Sequence, residues 1–181
     1  MFGLVEKAQN EEVAAPALPI VAPEDFHRAV YVASSSSEIE RAERVMEKLR
    51  GAGMIVTSSW AANIRKVGAA NPMDAPREQQ AVWASTCLHE VSIASITLLL
   101  FPTTPTIGAW HEVGYALALK AMTDMGIEAG ALPPYAARTI IGAGSTPPKS
   151  IFKSLYEVFE DDDKAIDAIL AAVFHGETPA A

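Results

Sequence analysis

Short apolar runs that alternate with amphipathic segments are the feature that most limits how this chain can fold. The first run, Ala29-Val30-Tyr31-Val32-Ala33, is apolar at every position and is followed by four serines. A strand that is apolar on both faces is typical of the centre of a parallel sheet, where helices cover both sides. The next segment repeats apolar residues at helical spacing from Ile39 to Leu49, and glycines follow it. The chain therefore opens with one βα unit.

The alternation continues through the rest of the chain. Further strands are predicted at 54–57, 96–101 and 138–141, with one more considered at 129–132. Further helices are predicted at 77–91, from about 108 to 122, at 150–159 and at 162–174. This order predicts a single doubly wound, flavodoxin- or Rossmann-like α/β domain. Its parallel sheet of four to five strands has right-handed crossovers and helices on both faces.

Three segments complete the predicted organisation. Residues 1–25 are rich in Ala, Pro and Glu without sustained periodicity, so we expect a flexible N-terminal arm, followed by the domain over 26–176 and a tail over 177–181. Ser37 and Glu40 have the spacing of a capping box for the first helix. Residues 59–76 are polar with little helical pattern, which predicts a long loop able to act as a lid.

Composition excludes several classes of function. The net charge is −8, with 22 acidic and 14 basic residues and no basic stripe, so a long nucleic acid is not an expected partner. The longest apolar stretch, 93–101, is far shorter than the roughly 20 residues of a membrane span, so no membrane association is expected. A single cysteine and the absence of a basic leader favour the cytoplasm.

The predicted fold indicates where a ligand would bind. In such sheets ligands bind beyond the carboxyl ends of the strands, near a change in strand order. Four predicted loops lie at that edge: 34–37, 58–60, 102–108 and 142–146. After the third strand, Glu112 falls in the first turn of a predicted helix, where the helix dipole is expected to keep it ionised as a nucleophile or as a partner of a cationic transition state. A purely structural role, in which Glu112 only complements the dipole, explains the same position.

The segment around Glu112 resembles a known family. The run Gly108-Ala-Trp-His-Glu-Val-Gly-Tyr-Ala116 is similar to the Gly-x-x-x-Glu-(apolar)-Gly-x-Ala signature of nucleoside 2-deoxyribosyltransferases and of their nucleotide N-hydrolase relatives. Residues 30–35 resemble the first strand and loop of that family, 49–56 its entry to the second strand, and 140–142 with 151–152 its closing strand and helix. The resemblance covers roughly residues 28 to 160, in the same order.

The resemblance implies an activity. The glutamate at position 112 would attack the anomeric carbon of a nucleoside or nucleoside 5′-monophosphate, the base would leave, and another base or water would capture the glycosyl ester. Family members complete their sites across a subunit interface, so a homo-oligomer, a dimer or higher, is implied as well. The family has acids where this chain has Cys87 and Ser95. Glu90 and Asp74 are candidates to replace them, although an exposed, solvated position is the commoner role for such residues.

The candidate substrate-binding residues surround Glu112 in this prediction. Trp60 and Trp110 are able to stack on a base, but a tryptophan near a loop more often anchors the core. The serines offer hydroxyls to a sugar or phosphate, or simply cap a helix. Tyr31 is included although its place on a strand favours the core. The set is Tyr31, Ser34, Ser35, Ser36, Trp60, Cys87, Gly108, Trp110 and His111.

No metal or cofactor is expected. His111-Glu112 resembles the start of a zinc-protease motif, but position 115 is a tyrosine and not the second histidine. Gly142-Ala-Gly144 lacks the third glycine of a dinucleotide fingerprint. The expected partner is a small nucleoside or nucleotide. The alternative to an enzyme is a protein of the same fold that binds such a ligand with little or no turnover, and the cysteine at position 87 favours it.

Overall fold

Five parallel strands form one sheet in the computed structural model of the protein, which describes residues 20–67, 72–104 and 106–176. The strands are β1 (Ala29–Ala33), β2 (Ile55–Val56), β3 (Ile96–Leu100), β4 (Thr139–Ala143) and β5 (Glu157–Phe159). Their order is β2-β1-β3-β4-β5, so the direction of winding reverses between β1 and β3. The predicted doubly wound α/β fold is confirmed.

Helices cover both faces of the sheet. They are α1 (Ile39–Gly51), α2 (Trp60–Val67), α3 (Arg77–Ser92), α4 (Gly108–Glu128) and α5 (Asp162–Leu170). Helices α1 and α5 pack on one face, and α3 and α4 pack on the other. Short 3-10 helices at Pro23–Arg28, Ser36–Glu38, Pro72–Asp74, Pro134–Ala136 and Ile151–Leu155 join these elements, and α5 continues into a π turn at Ala171–His175.

Strand β1 has the predicted bounds and lies at the centre of the molecule. All five of its residues are buried, because alternate side chains enter two different cores. Val30 and Val32 pack with α1 and α5, whereas Tyr31 and Ala33 pack with α3 and α4. A charged side chain at Val32 would have no aqueous face to reach, so this position tolerates only apolar residues.

The predicted loop over residues 59–76 is wrong in part, because α2 occupies its first half. Helix α2 is stabilised by partners far away in the sequence. Ala61 is buried against the α1 side of the core, and the Arg65 guanidinium donates to the Glu43 carboxylate of α1 at 2.9 Å. These contacts join α2 to residues about 20 positions away, so the sequence of residues 60–67 alone does not reveal the helix. Residues 68–71, which belong to the same predicted loop, lie outside the described residues.

The predicted capping box at the start of α1 is also wrong. A 3-10 turn precedes α1, and Ser35 caps that turn by accepting a hydrogen bond from the Ser37 backbone N–H at 3.3 Å. The Ser37 hydroxyl instead lies 2.7 Å from the Thr104 hydroxyl in the loop after β3. The serine loop is therefore tied to a neighbouring loop at the carboxyl edge of the sheet.

Two further predictions fail in the second half of the chain. The segment predicted as a helix at 150–159 forms a 3-10 helix and then β5, because residues 157–159 pair with β4 at the edge of the sheet. No strand forms at 129–132. Gly130 has a φ of +70° there, and the backbone N–H groups of Ala131 and Leu132 both donate to the Gly126 carbonyl. These residues close α4, which extends to Glu128 rather than Met122.

The ends of the chain are described only in part. Residues 1–19 of the predicted arm and residues 177–181 of the predicted tail lie outside the described residues, and so does Pro105. The described end of the arm leads into the 3-10 helix Pro23–Arg28, where the Arg138 guanidinium lies 5.2 Å above the Phe26 ring. In the described ranges, no helix combines the length and the apolar character that crossing a membrane requires.

Candidate active site

A cavity of about 630 Å³ opens at the carboxyl edge of the sheet, beside the change in strand order. We call it the Glu112 cavity. Its volume lies within the roughly 300–1,000 Å³ of small-molecule sites. Its wall combines residues that follow β1, β2 and β3 with one side of α3. The described lining residues are Ser34, Ser36, Trp60, Asn63, Ile64, Met73, Trp83, Ala84, Cys87, Thr106, Ile107, Gly108, Ala109 and Glu112.

Six of the ten predicted site residues line this cavity: Ser34, Ser36, Trp60, Cys87, Gly108 and Glu112. Two more lie in the layer beneath. Tyr31 is fully buried next to Glu112 and Cys87, and Ser35 is buried with its hydroxyl used in the turn at Ser37.

Trp110 and His111 do not line the Glu112 cavity, although they precede Glu112 directly. Successive helix residues point roughly 100° apart, so neighbours in sequence face different directions. Trp110 contributes to two neighbouring cavities instead. His111 is exposed, and its Nδ1 lies 3.1 Å from the Ile107 carbonyl oxygen. Adjacency in the motif therefore does not place these side chains at one site.

Glu112 differs from its prediction in position and in charge. Helix α4 begins at Gly108, so Glu112 is its fifth residue and lies past the first turn, where the influence of the helix dipole fades. Burial raises the pKa of Glu112 to about 7, and the nearby charge of Glu90 adds to the rise. The Tyr31 hydroxyl and the Cys87 thiol oppose it, although that hydroxyl makes no hydrogen bond of ordinary geometry. Burial therefore acts against the expected effect of the helix dipole, which was to keep Glu112 ionised.

Glu90 is the second acid of the site region, and its expected exposed position is wrong. Its side chain is 0% exposed, and burial raises its pKa. Oε2 accepts a hydrogen bond from the Ser59 backbone N–H at 3.1 Å, while Oε1 has no partner in the described part of the chain. Asp74, the other candidate acid, is exposed and does not line the cavity. We call Tyr31, Cys87, Glu90 and Glu112 the Glu112 cluster.

The two positions at which the resemblance implies acids behave differently in the structure. Cys87 lines the cavity, but burial and the charge of Glu112 raise its pKa to about 12, so the thiol remains protonated and does not replace a carboxylate. Ser95 lies at the opposite, amino edge of the sheet, where its hydroxyl donates to the Ala29 carbonyl at 3.1 Å. Only the residue at position 87 bears on the chemistry of the cavity.

Trp60 serves the cavity and the core together. Its Nε1 donates to the Val32 carbonyl at 2.8 Å, which fixes the indole against β1 while the ring lines the cavity. In the same helix, the Asn63 amide donates to the Ser59 hydroxyl at 3.0 Å. The hydrogen bond to β1 agrees with a role of Trp60 as a core anchor, and stacking on a base stays a prediction.

Several lining residues are not in the predicted set: Asn63, Ile64, Met73, Trp83, Ala84, Thr106, Ile107 and Ala109. Asn63 and Ile64 belong to α2, which the sequence pattern does not reveal. Trp83 was predictable from the sequence as a lining residue. It precedes Cys87 by four residues in a correctly predicted helix, so the two side chains lie on the same face of that helix.

The chain matches no protein-family model and has no significant match among curated proteins or solved structures. Within the described residues, no group of three or more His, Cys, Asp or Glu side chains is arranged to hold a metal ion. The functional interpretation therefore rests on the chemistry of the Glu112 cavity and on the sequence resemblance.

Proposed function

We propose that the protein cleaves or transfers the N-glycosidic bond of a nucleoside or nucleoside 5′-monophosphate through the Glu112 carboxylate. The observation that carries this proposal is a largely apolar cavity with two tryptophans in which Glu112 is the only carboxylate among the described lining residues. The resemblance of residues 108–116 to nucleoside 2-deoxyribosyltransferases supports it. A nucleoside has the complementary parts, a flat base for the indoles and an anomeric carbon for the carboxylate.

The reaction proceeds in two displacements at the anomeric carbon. One Glu112 oxygen forms a bond to that carbon while the carbon–nitrogen bond breaks, and the base leaves with the bonding electron pair and takes up a proton from solvent. Water or a second base then attacks the glycosyl ester and restores the carboxylate. Glu112 is half-buried in the cavity wall, where the effective dielectric constant is lower than in water, so the carboxylate stabilises the developing positive charge more strongly than it would in solution.

The charge state of Glu112 sets the pH dependence of this mechanism. Attack requires the ionised carboxylate, and a pKa of about 7 leaves roughly half of the molecules protonated at neutral pH. We expect kcat/KM to rise with pH through the neutral range and to become constant about one pH unit above that value.

A second candidate function is binding of a nucleoside or nucleotide with little turnover. The observation that favours it is the protonated thiol of Cys87 at the position where the resemblance implies an acid. With Glu112 the only carboxylate in the described lining, proton delivery to the leaving base depends on solvent. Such a protein binds its ligand but releases base slowly or not at all.

The proposal includes a homo-oligomer of two or more copies in the cytoplasm. Apolar side chains beside a groove on α4 support self-association: Phe152 is 59% exposed and Leu155 is 52% exposed. Light scattering coupled to size-exclusion chromatography measures the mass in solution, and a Leu155→Glu variant is expected to lower it. A monomeric wild-type protein would contradict this part of the proposal.

The central experiment incubates the protein with deoxynucleosides, ribonucleosides and their 5′-monophosphates and measures released base by chromatography. Base release that is lost in Glu112→Gln supports the enzyme. The matched control is Glu128→Gln, which makes the same change at the exposed end of the same helix and is expected to keep full activity. Tight ligand binding without any base release would favour the binding protein, and full activity of Glu112→Gln would refute the assigned carboxylate.

A further inference from the structure

We propose that the Glu112 cavity accepts an uncharged nucleoside and excludes the corresponding 5′-monophosphate. This inference rests on the proposed function and narrows it to one substrate class. Three observations support it. The described lining of the cavity contains a carboxylate and no cation, two arginines at the same edge of the sheet face a different cavity, and the lining contains several hydroxyl groups.

The charges at the cavity have one sign. No Lys, Arg or His occurs among the lining residues that the structure describes, and Glu112 is their only acid. Glu90 lies buried behind it and acts on its pKa through charge. A phosphate dianion that enters this space loses its water and gains no cation in exchange. The net charge of −8 repels the dianion at longer range as well.

Two arginines at the same edge of the sheet face a different cavity. Arg41 and Arg44 line a separate cavity of about 580 Å³ at the same edge of the sheet. The Arg41 guanidinium is occupied by the Asp162 carboxylate at 2.6 Å and by the Phe101 carbonyl at 2.9 Å. Glu38 and Glu40 line that cavity as well, which lowers its attraction for an anion.

Three of the described lining residues carry hydroxyl groups, which are able to pair with the hydroxyl groups of a sugar. The Ser34 hydroxyl is buried and has no hydrogen-bond partner among the described residues. Ser36 and Thr106 add two more hydroxyls to the lining. A hydroxyl both donates and accepts, as a sugar hydroxyl does, so the pair satisfies each other without a net charge. A buried polar atom left alone is unfavourable, and a bound sugar hydroxyl at Ser34 removes that cost.

A bound dianion would also disable the carboxylate. A second negative charge close to Glu112 disfavours its ionised form and raises its pKa further above about 7. A bound monophosphate would therefore hold Glu112 in the protonated state, which does not attack carbon. A substrate without a phosphate group therefore avoids the charge repulsion during binding and leaves Glu112 able to ionise for the reaction.

The test measures binding separately from turnover. Isothermal titration calorimetry at pH 8 compares each of the four deoxynucleosides with its 5′-monophosphate on the wild-type protein and on Glu112→Gln. We expect at least one nucleoside to bind the wild-type protein roughly 100-fold more tightly than its monophosphate, because the like charges of Glu112 and the phosphate repel. The ratio should fall in Glu112→Gln, where that repulsion is gone. Equal or tighter binding of the monophosphate to the wild-type protein would overturn the proposal.

A cation placed in the cavity provides the reverse test. Ala84→Lys adds an ammonium group to the lining, and the matched control Ala81→Lys adds it at an exposed position of the same helix outside the lining. Monophosphate affinity should rise at least tenfold in Ala84→Lys and stay unchanged in Ala81→Lys. Monophosphate binding to the wild-type protein that matches nucleoside binding and is lost in Arg44→Ala would place the phosphate in the neighbouring cavity and overturn the proposal.

Failure of this inference is distinguishable from failure of the proposed function. Preferential nucleoside binding without base release from any compound would refute the enzyme and support the selectivity. Base release that is faster from monophosphates than from nucleosides would support the enzyme and overturn the selectivity.

Discussion

Two polar clusters of the molecule differ in how completely their polar groups are paired. In the first, which we call the Arg41 cluster, the Arg41 guanidinium contacts the carboxylates of Glu38 and Asp162 and the carbonyls of Phe101 and Ala143. In the Glu112 cluster, by contrast, the Tyr31 hydroxyl and Glu90 Oε1 have no partner in the described part of the chain.

The difference separates a structural role from a functional one. Complete pairing makes the Arg41 cluster a clamp, because one side chain ties the ends of β3 and β4 to α1 and α5. In the Glu112 cluster, no cation among the described residues acts on Glu90 or Glu112, so their ionised forms are disfavoured and the fold loses stability. Four substitutions test this comparison, and they follow in decreasing order of expected effect.

Arg41→Ala is expected to have the largest effect. It removes the donor of the Asp162 carboxylate and of the Phe101 carbonyl, so the free energy of unfolding should fall by about 2–4 kcal/mol. Glu38 keeps its hydrogen bonds from Thr103, and the Ala143 carbonyl keeps the one from the Phe101 N–H. Urea unfolding measures the change. The control is Lys48→Ala, which removes an exposed ion pair to Asp163 and should cost at most about 1 kcal/mol. If the free energy of unfolding fell by the same amount in both variants, the pairing of Arg41 would contribute no more to stability than an exposed ion pair does, and its structural role would be refuted.

Glu112→Gln is expected to raise stability while it abolishes base release. A carboxyl whose pKa is raised to about 7 in the folded protein binds more protons there than in the unfolded chain between about pH 4.5 and 7. The contribution of Glu112 to stability therefore falls as pH rises through that window, and the loss is complete above it. At pH 8 the variant should be more stable than the wild type by about 1–3 kcal/mol. Unfolding curves of both proteins at pH 5 and pH 8 check this, and a difference in stability that does not grow between pH 5 and pH 8 would contradict it.

Glu90→Gln is expected to act on the pH profile. The amide oxygen still accepts from the Ser59 N–H, but the charge that adds to the effect of burial on the pKa of Glu112 is gone. The midpoint of the rise in kcat/KM should therefore move to lower pH, so activity at pH 6 should increase. Glu78→Gln, an exposed change on the same helix, should leave the midpoint in place. Lower activity at every pH with the same midpoint would reduce Glu90 to a packing role.

Tyr31→Phe is expected to have the smallest effect on stability. The hydroxyl that it removes has no hydrogen bond of ordinary geometry, so the free energy of unfolding should change by less than about 1 kcal/mol. Thr57→Val supplies the comparison, because the Thr57 hydroxyl donates to the Glu90 carbonyl at 3.1 Å and its loss should cost more. The midpoint of the pH profile should rise slightly in Tyr31→Phe, since this hydroxyl lowers the pKa of Glu112. A larger loss than in Thr57→Val would show that the hydroxyl is paired.

The placement of Glu112 was predictable because it depends on chain order. The apolar run of β3, the break after it and the helix that begins at Gly108 are local patterns, and a parallel topology brings such a loop to the carboxyl edge. Serines 34–36 and Trp60 follow from the same rule applied to β1 and β2. The direction in which each side chain points was not predictable in this way, as Trp110 and His111 demonstrate.

The raised pKa of Glu112 and the presence of α2, β5 and the buried Glu90 near it were not predictable from the sequence, because each depends on contacts between distant parts of the chain. Helix α2 is stabilised by contacts with α1, and β5 exists only as a partner of β4, so neither has a strong pattern of its own. Glu90 looks like a surface residue in the sequence, yet the fold buries it completely.

The α/β alternation and the edge of the sheet at which Glu112 lies follow from the amino-acid sequence alone, because the periodic pattern of apolar residues in a helix or strand depends on neighbouring residues. The folded structure is what brings the half-buried Glu112 beside Tyr31, Cys87 and Glu90, with no cation in the described lining of its cavity. The physical reason is that desolvation and pairing depend on which distant residues surround a group, and those neighbours exist only once the chain has folded.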